Sequence, residues 1–445
     1  MALPACTIEI RTGGSDTNGG GFVIGGTGTD YSQQDLYAAA IGDLSCNVAS
    51  TTLTCEDWRF TEAMEDNLIY ISGGTNFTTG WYRIVTYTDT NNVVLDRTAC
   101  DGVGNATEGS SVVGGALASP GSAAKLMNDN AIAGHKVHQE AGDYLLTTTS
   151  ANVSGGVVAL NANMAGKLCF WCGYNTTRED WGVPPKINCN GQSGITVFDL
   201  DGGWLNNQHI CNIEIDGDGQ DVIAVAGDNT SYDYATGILA DNCDNASSVF
   251  YKLSPCMCRA SNCAGTGFRD CAMPTYCWSV KNGIGFNAAL GASHCTASEN
   301  TGNGFTGCLR YVYSNLTAYG NGGDGFSASG GGTYVNNISA KNGIYGYDMA
   351  ADSVLINCGD YDNTSGRIDG TDYAADILPF TITDGDPFIL TDQVDPLDDD
   401  FRPNAMALRG ALLRAAGIGV RGQSSSHDVG ALQHTDPSGP HIIGG

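Results

Sequence analysis

The apolar positions of this chain keep no helical 3.6-residue period between residues 250 and 360. They recur once in about twenty residues. The aromatic that follows Gly265-Thr266-Gly267 is Phe268, and it returns as Phe286, Phe305, Phe326 and Tyr347, at intervals of 18, 19, 21 and 21 residues. A second column precedes it: Cys258, Cys277, Cys295, Leu316, Ile338 and Ile356, at intervals of 19, 18, 21, 22 and 18. Two residues beyond each lies a third column, Ala260, Ser279, Ala297, Ala318, Ala340 and Cys358. A separation of two puts both columns on one face of a strand. Each repeat therefore reads as a short strand, an Asn-containing turn (Asn262, Asn282, Asn300, Asn321, Asn342), a Gly-x-Gly step and an aromatic opening the next strand.

Repeats of this length with short strands predict a solenoid of β-coils. Leucine-rich repeats share the period but need Leu-x-x-Leu-x-Leu, which is absent. Coils stacked at about 4.8 Å set like residues above like, which is why columns are visible at all. Phe286, Phe305 and Phe326 are expected in the core with Cys258, Cys277, Cys295, Leu316, Ile338 and Ile356. The Asn column is expected to form a side-chain amide ladder.

Residues 22–115 break the period. Leu68-Ile69-Tyr70-Ile71, Trp81-Tyr82-Arg83-Ile84-Val85 and Val93-Val94-Leu95 run apolar or alternate between Gly, Asn and Asp turns. They predict a small antiparallel β module. Ala118-Ser119-Pro120-Gly121 opens a short helical stretch ending near Ala131. The expected division is 1–21 an opening segment, 22–115 the β module, 116–380 the solenoid and 381–445 a closing segment.

Composition narrows the function. Twenty Lys and Arg against 48 Asp and Glu give a formal charge of −28, with no basic cluster. Nucleic acid is an unfavourable partner for such a chain. No stretch approaches the ~20 apolar residues of a membrane span, so no membrane insertion is expected. The first residues show no basic flank before an apolar core, and synthesis in a host cytoplasm without a signal peptide is the expectation. Seventeen Cys without framework spacing then read as mostly reduced thiols filling inward columns.

At this point the residues resemble the right-handed parallel β-helix proteins of the pectate-lyase-like superfamily. The resemblance takes in the repeat, the opening Gly13-Gly14-Ser15-Asp16-Thr17-Asn18-Gly19, the Gly134-His135-Lys136-Val137-His138 and Ala141-Gly142-Asp143-Tyr144 strand-and-turn, Ile210 to Gly217, and the closing Asp428-Val429-Gly430-Ala431. It implies an all-β, right-handed parallel β-helix with a short capping helix over the first coil. The opening, with Gly28-Thr29-Asp30-Tyr31-Ser32-Gln33-Gln34, further resembles bacteriophage-associated β-helix virion proteins.

Catalytic families on this fold show clustered Asp for Ca²⁺ with a basic residue, or paired Asp near Gly-His-Gly; neither pattern occurs here. Carboxylates on adjacent coils can still meet at the ~5–9 Å of a glycosidase pair, and Glu214, Glu299 and Asp324 are the candidates. Asp216, Asp218 and Asp221 are candidate ligands for a structural Ca²⁺; no other cofactor is expected. Trp204, Arg310, Tyr311 and Tyr313 are candidate glycan contacts, and could equally bury against a neighbouring chain. The function expected is a structural virion surface protein of a bacteriophage, a capsid-decorating, fibre or spike protein. It would be a homotrimer contacting other virion proteins and bacterial surface polysaccharide. The alternatives are a depolymerase or lyase acting on such glycans, and a cell-surface adhesin.

Overall fold

The computed structural model describes residues 3–130, 134–146, 156–159, 168–200, 208–227, 233–244, 247–307 and 311–369, and short strands at 380–381, 388–390 and 400–403. The closing Asp428–Ala431 lies outside them. Two compact units form, one of residues 1–216 with 226–234, the other of 217–225 with 235–445. Among the described residues the fold is a parallel β-helix with one α-helix, in agreement with the sequence reading, and the expected small antiparallel module closes into a barrel.

In the second unit each coil has three sides. One side stacks Arg259–Ser261, Trp278–Val280, Thr296–Ser298, Thr317–Tyr319, Ile338–Ala340 and Gly359–Tyr361, all parallel and in register. The second stacks Ser248–Tyr251, Thr266–Arg269, Ile284–Asn287, Phe305–Thr306, Phe326–Ser327 and Tyr345–Asp348. The third is Ala292–Ser293, Val312–Ser314, Thr333–Val335 and Val354–Ile356. Phe250, Phe268, Phe286, Phe305, Phe326 and Tyr347 form a buried stack with centroids 4.7–5.0 Å apart and planes within 8°. In-register pairing fixes that offset, and each stacked pair adds about 1 kcal/mol beyond its burial.

The amide ladder runs through Asn282, Asn300, Asn321, Asn342 and Asn363. The Oδ1 of each accepts the backbone N–H of its predecessor at 2.8–3.1 Å, and the Oδ1 of Asn282 accepts that of Cys263 at 2.9 Å. The Nδ2 groups of Asn282, Asn321 and Asn342 reach carbonyls of Ala260, Ala297 and Ala318. Asn262 is not a member. It is exposed, in the left-handed bend one place earlier (φ 53), above Lys281, Glu299, Lys341 and Asp362 in the same conformation.

The inward column from Cys258 also needs correction in its register. Its members are Cys258, Cys277, Cys295, Leu316, then Asn337 and Cys358; the sequence intervals of 22 and 18 concealed a slip of one and then two residues. Asn337 Nδ2 donates to Tyr313 O at 3.0 Å and its Oδ1 accepts from Leu316 N at 2.9 Å. Cys258, Cys277, Cys295 and Cys358 donate Sγ–H to carbonyls of the preceding coil at 3.3–3.5 Å. Burial pushes the Cys358 thiol up to about 12, so the donor proton stays in place at neutral pH. A thiol and a carboxamide each donate to a carbonyl of the preceding coil here, while Leu316 in the same column fills it by packing alone. Ile338 instead stacks on Thr317, still buried, and Ile356 pairs with Val335 on the third side, half-buried.

The second Gly of each Gly-x-Gly is required by approach rather than by φ. A Cβ on Gly285 or Gly304 would lie 2.9 Å from the Ala297 Cβ or the Asn321 Nδ2.

The first unit holds the barrel, closed by antiparallel Ala39–Cys46, Thr52–Cys55, Asn92–Leu95, Gly80–Asp89, Leu68–Thr75 and Ala106–Val113. Closure leaves no open strand edge. Ile41, Leu44, Phe60, Ile69, Tyr82 and Ile84 fill it. The helix, Pro120–Asp129, has Pro at its first turn and Ser119 as N-cap. Asp16 fixes that cap, accepting from Ala118 N, Ser119 N and Ser119 Oγ at 2.9–3.1 Å.

A buried ion network ties the opening segment to the first coils. Glu9, fully buried, accepts from Tyr174 Oη and lies 2.7 Å from Arg178 Nη2 and 3.6 Å from Arg11 Nε. Arg178 also reaches Asp30 at 3.0 Å, and Arg11 reaches Glu140 at 3.0 Å. Burial raises the Glu9 carboxyl against the opposing pull of Arg178.

Two stability outcomes are expected. Asn321→Ala strands several buried polar groups and costs roughly 2–4 kcal/mol, whereas Asn262→Ala, in an exposed left-handed bend, costs about 1 kcal/mol; equal shifts in denaturation midpoint would refute the ladder assignment. Arg178→Met leaves Glu9 buried without its main countercharge and costs about 3–5 kcal/mol near neutrality. A raised folded-state carboxyl pKa makes stability fall as pH rises through it, so this variant should recover towards wild type on acidification. Melting curves from pH 5 to 8 check this, and a pH-independent deficit would count against it.

Candidate functional site

In the first unit, Lys136–Glu140 and Cys169–Tyr174 run parallel with the following strand from Gln208. Strand alternation turns Val137, Trp171 and Ile210 inward, all at most 3% exposed. It turns Lys136, Phe170 and His209 outward in one register column. Tyr234 continues the line, 47% exposed. Phe170 and His209 have ring centroids 5.9 Å apart at 59°, and His209 and Tyr234 6.1 Å apart at 69°. The result is a lateral aromatic track of three rings with an ammonium at one end.

The support beneath it is dense. Trp171 packs edge-on to Phe198 at 5.5 Å and donates Nε1–H to Gln139 Oε1 at 3.0 Å. Two residues along, a disulfide joins Cys172 and Cys211, directly bridging the strands that carry Phe170 and His209. Among the described cysteines no second disulfide forms, and Cys169 is not part of this one. His209 is held below the usual imidazole range by burial. Neighbouring His138 falls to about 4, through burial and then the charges of Arg178 and Lys136. The track is therefore electrically neutral at pH 7 apart from Lys136. Aromatic rings so placed can stack on apolar C–H faces of a ligand.

The residues singled out in sequence fall elsewhere. Glu214 and Asp216 both face Lys186, whose Nζ lies 3.5 and 2.9 Å away. An ammonium thus lies where Asp216 would meet a cation. Asp218 and Asp221 are exposed. Among the described residues no three His, Cys, Asp or Glu side chains gather to hold a metal.

Glu299 is half-buried in a left-handed bend, its Cγ 3.6 Å from where a Cβ on Gly320 would lie. Asp324 sits in another column: its N–H donates to Asn303 Oδ1 and its Oδ1 accepts from Tyr345 N, at 2.9 and 3.0 Å. Burial raises its carboxyl, as do the charges of Asp348 and Asp369. The ladder does not set Glu299 and Asp324 one above the other.

Tyr313 is a core residue, fully buried, stacked on Tyr334 at 5.2 Å and donating to Ala289 O at 2.7 Å. Its position follows from alternation, which exposes Val312 and turns the next residue inward. Tyr311 is 47% exposed. Trp204 and Arg310 lie outside the described residues.

Sequence reading missed Phe170, His209 and Tyr234 because they are 39 and 25 residues apart and share no motif. The usable signal is the alternation in Cys169-Phe170-Trp171-Cys172, which sets Phe170 on the face opposite the buried Trp171.

No protein-family model and no curated protein matches the chain in sequence. Among solved structures it is similar to a pectate lyase, Pel9A, with 15% identity over 72% of this chain and 92% of that one, at a TM-score of 0.39. It is also similar to the A-module of the mannuronan C-5 epimerase AlgE4 of Azotobacter vinelandii, with 10% identity, 56% and 91% covered and a TM-score of 0.30. A third is the catalytic unit of an α-1,3-glucanase from Streptomyces thermodiastaticus, with 11% identity, 79% and 87% covered and a TM-score of 0.22. At these values the likenesses carry no argument about activity.

Proposed function

We propose that this chain is a structural surface protein of a bacteriophage particle whose β-helix contacts a bacterial surface glycan through the track Phe170–His209–Tyr234. The single observation that carries the glycan contact is that track: three partly exposed rings in line along the coil stack, with a disulfide bridging the strands of the first two. Rings that are fixed before binding lose little freedom when a sugar stacks on them. Contact rather than cleavage is favoured because two of the three candidate carboxylates have scaffold duties. Glu214 is ion-paired with Lys186, and Asp324 ties two coils together.

The virion setting rests on the resemblance of the opening segment to phage-associated β-helices, and it suits a chain of charge −28 that stays soluble on a crowded particle surface. In this reading the working form is a homotrimer, docked to other virion proteins.

Phe170→Ala combined with Tyr234→Ala should weaken binding to a bacterial surface polysaccharide by roughly tenfold or more, at unchanged melting temperature. Glycan-array and calorimetric titrations read this, and undiminished binding by the double variant would sink the contact. Mass spectrometry of purified particles should find the chain at fixed stoichiometry, and sedimentation should give a three-chain mass. Its absence from particles would overturn the virion assignment.

A further inference from the structure

Resting on the track as the glycan contact, we infer that its ligand is an uncharged polysaccharide and not a polyuronate. The argument is electrostatic and starts from where the cations are. A uronate chain brings one carboxylate per sugar, and recognising it takes unclaimed guanidinium or ammonium groups aligned with the chain. Among the described residues of the first unit, Arg178, Arg11 and Lys186 are already claimed by carboxylates. Arg178 directs Nε and Nη2 to Glu9, Nη1 to Asp30 at 3.0 Å, and Nη2 also to Ser32 Oγ at 3.2 Å. Arg11 lies within 3.6 Å of Glu9, Asp35 and Glu140. Lys186 is held between Glu214 and Asp216.

Each of these cations meets at least two carboxylates, so these groups together carry net negative charge. Asp35 and Glu140 keep 49% and 25% of their side-chain surface exposed. His138 and His209 add no positive charge, being held neutral by their surroundings at pH 7. Among the described residues Lys136 is the one ammonium in the track's register column, against a formal chain charge of −28. What remains for recognition is the rings themselves. Their negative faces attract the weakly positive C–H face of a pyranose, and they gain nothing from a carboxylate.

The test compares neutral hexose oligosaccharides, polygalacturonate and alginate oligomers, and chitosan oligomers. Wild type, Lys136→Ala and the Phe170→Ala/Tyr234→Ala double variant are titrated between about 0.01 and 1 M salt, where the screening length falls from roughly 30 to 3 Å. The expected result is binding of a neutral oligosaccharide that changes less than about threefold across the salt range. It survives Lys136→Ala and falls roughly tenfold or more in the double variant. Track-dependent binding that prefers a polyuronate, or that prefers chitosan and collapses with salt, overturns the neutral-ligand inference while leaving the track as the site. Binding of any of these glycans that the double variant does not weaken, or no binding by wild type at all, overturns the track itself.

Discussion

A stacked coil must satisfy every polar group it buries at the turn, where the strand-to-strand ladder is interrupted and water is excluded. In this protein the constraint is met by columns of side chains that each carry a donor and an acceptor. The carboxamides of Asn282, Asn300, Asn321 and Asn342 take the N–H of the coil before, and three of the four were seen to return a donor to an alanine carbonyl. The thiols of Cys258, Cys277 and Cys295 do the donating half along the neighbouring column. Other features of the solenoid follow from this. The residue between the two columns must be small, the glycine across the core must lack a Cβ, and the bends must accept left-handed backbone.

That constraint also explains an unusual composition. Most described cysteines are buried groups of nearly hydrophobic character, and burial raises the pKa of Cys258, Cys271, Cys277 and Cys358, which keeps those thiols protonated and inert. One pair departs from this role. Cys172 faces outward across from Cys211, and the two join into a disulfide on the lateral face. The same strands therefore present a covalent brace and an aromatic track on one side while burying Trp171 and Ile210 on the other.

Charge is distributed with comparable economy. The cations of the first unit nearest the opening segment are engaged by Glu9, Asp30, Asp35 and Glu140, and they join that segment to the coils. Such a network leaves Arg11 and Arg178 engaged in holding the opening segment to the coils.

The repeat, the stacked phenylalanines, the small module and the capping helix were legible in sequence, because in-register stacking converts neighbours in space into a period along the chain. Register within a column was legible only while the period held. Ile338 and Ile356 looked like successors of Leu316 by hydrophobicity, yet the strand register puts Asn337 and Cys358 in the place, where each makes a hydrogen bond that no count of apolar positions could show. Asn262 was misplaced for the converse reason: an exposed left-handed bend and a buried ladder both favour asparagine. Tyr313 could not be told from Tyr311 without knowing which way the strand faced. The track was not legible at all. Phe170, His209 and Tyr234 become neighbours only when coils of unequal length are wound and paired, so sequence alone determined the architecture, and the tertiary pairing decided which side chains share a surface.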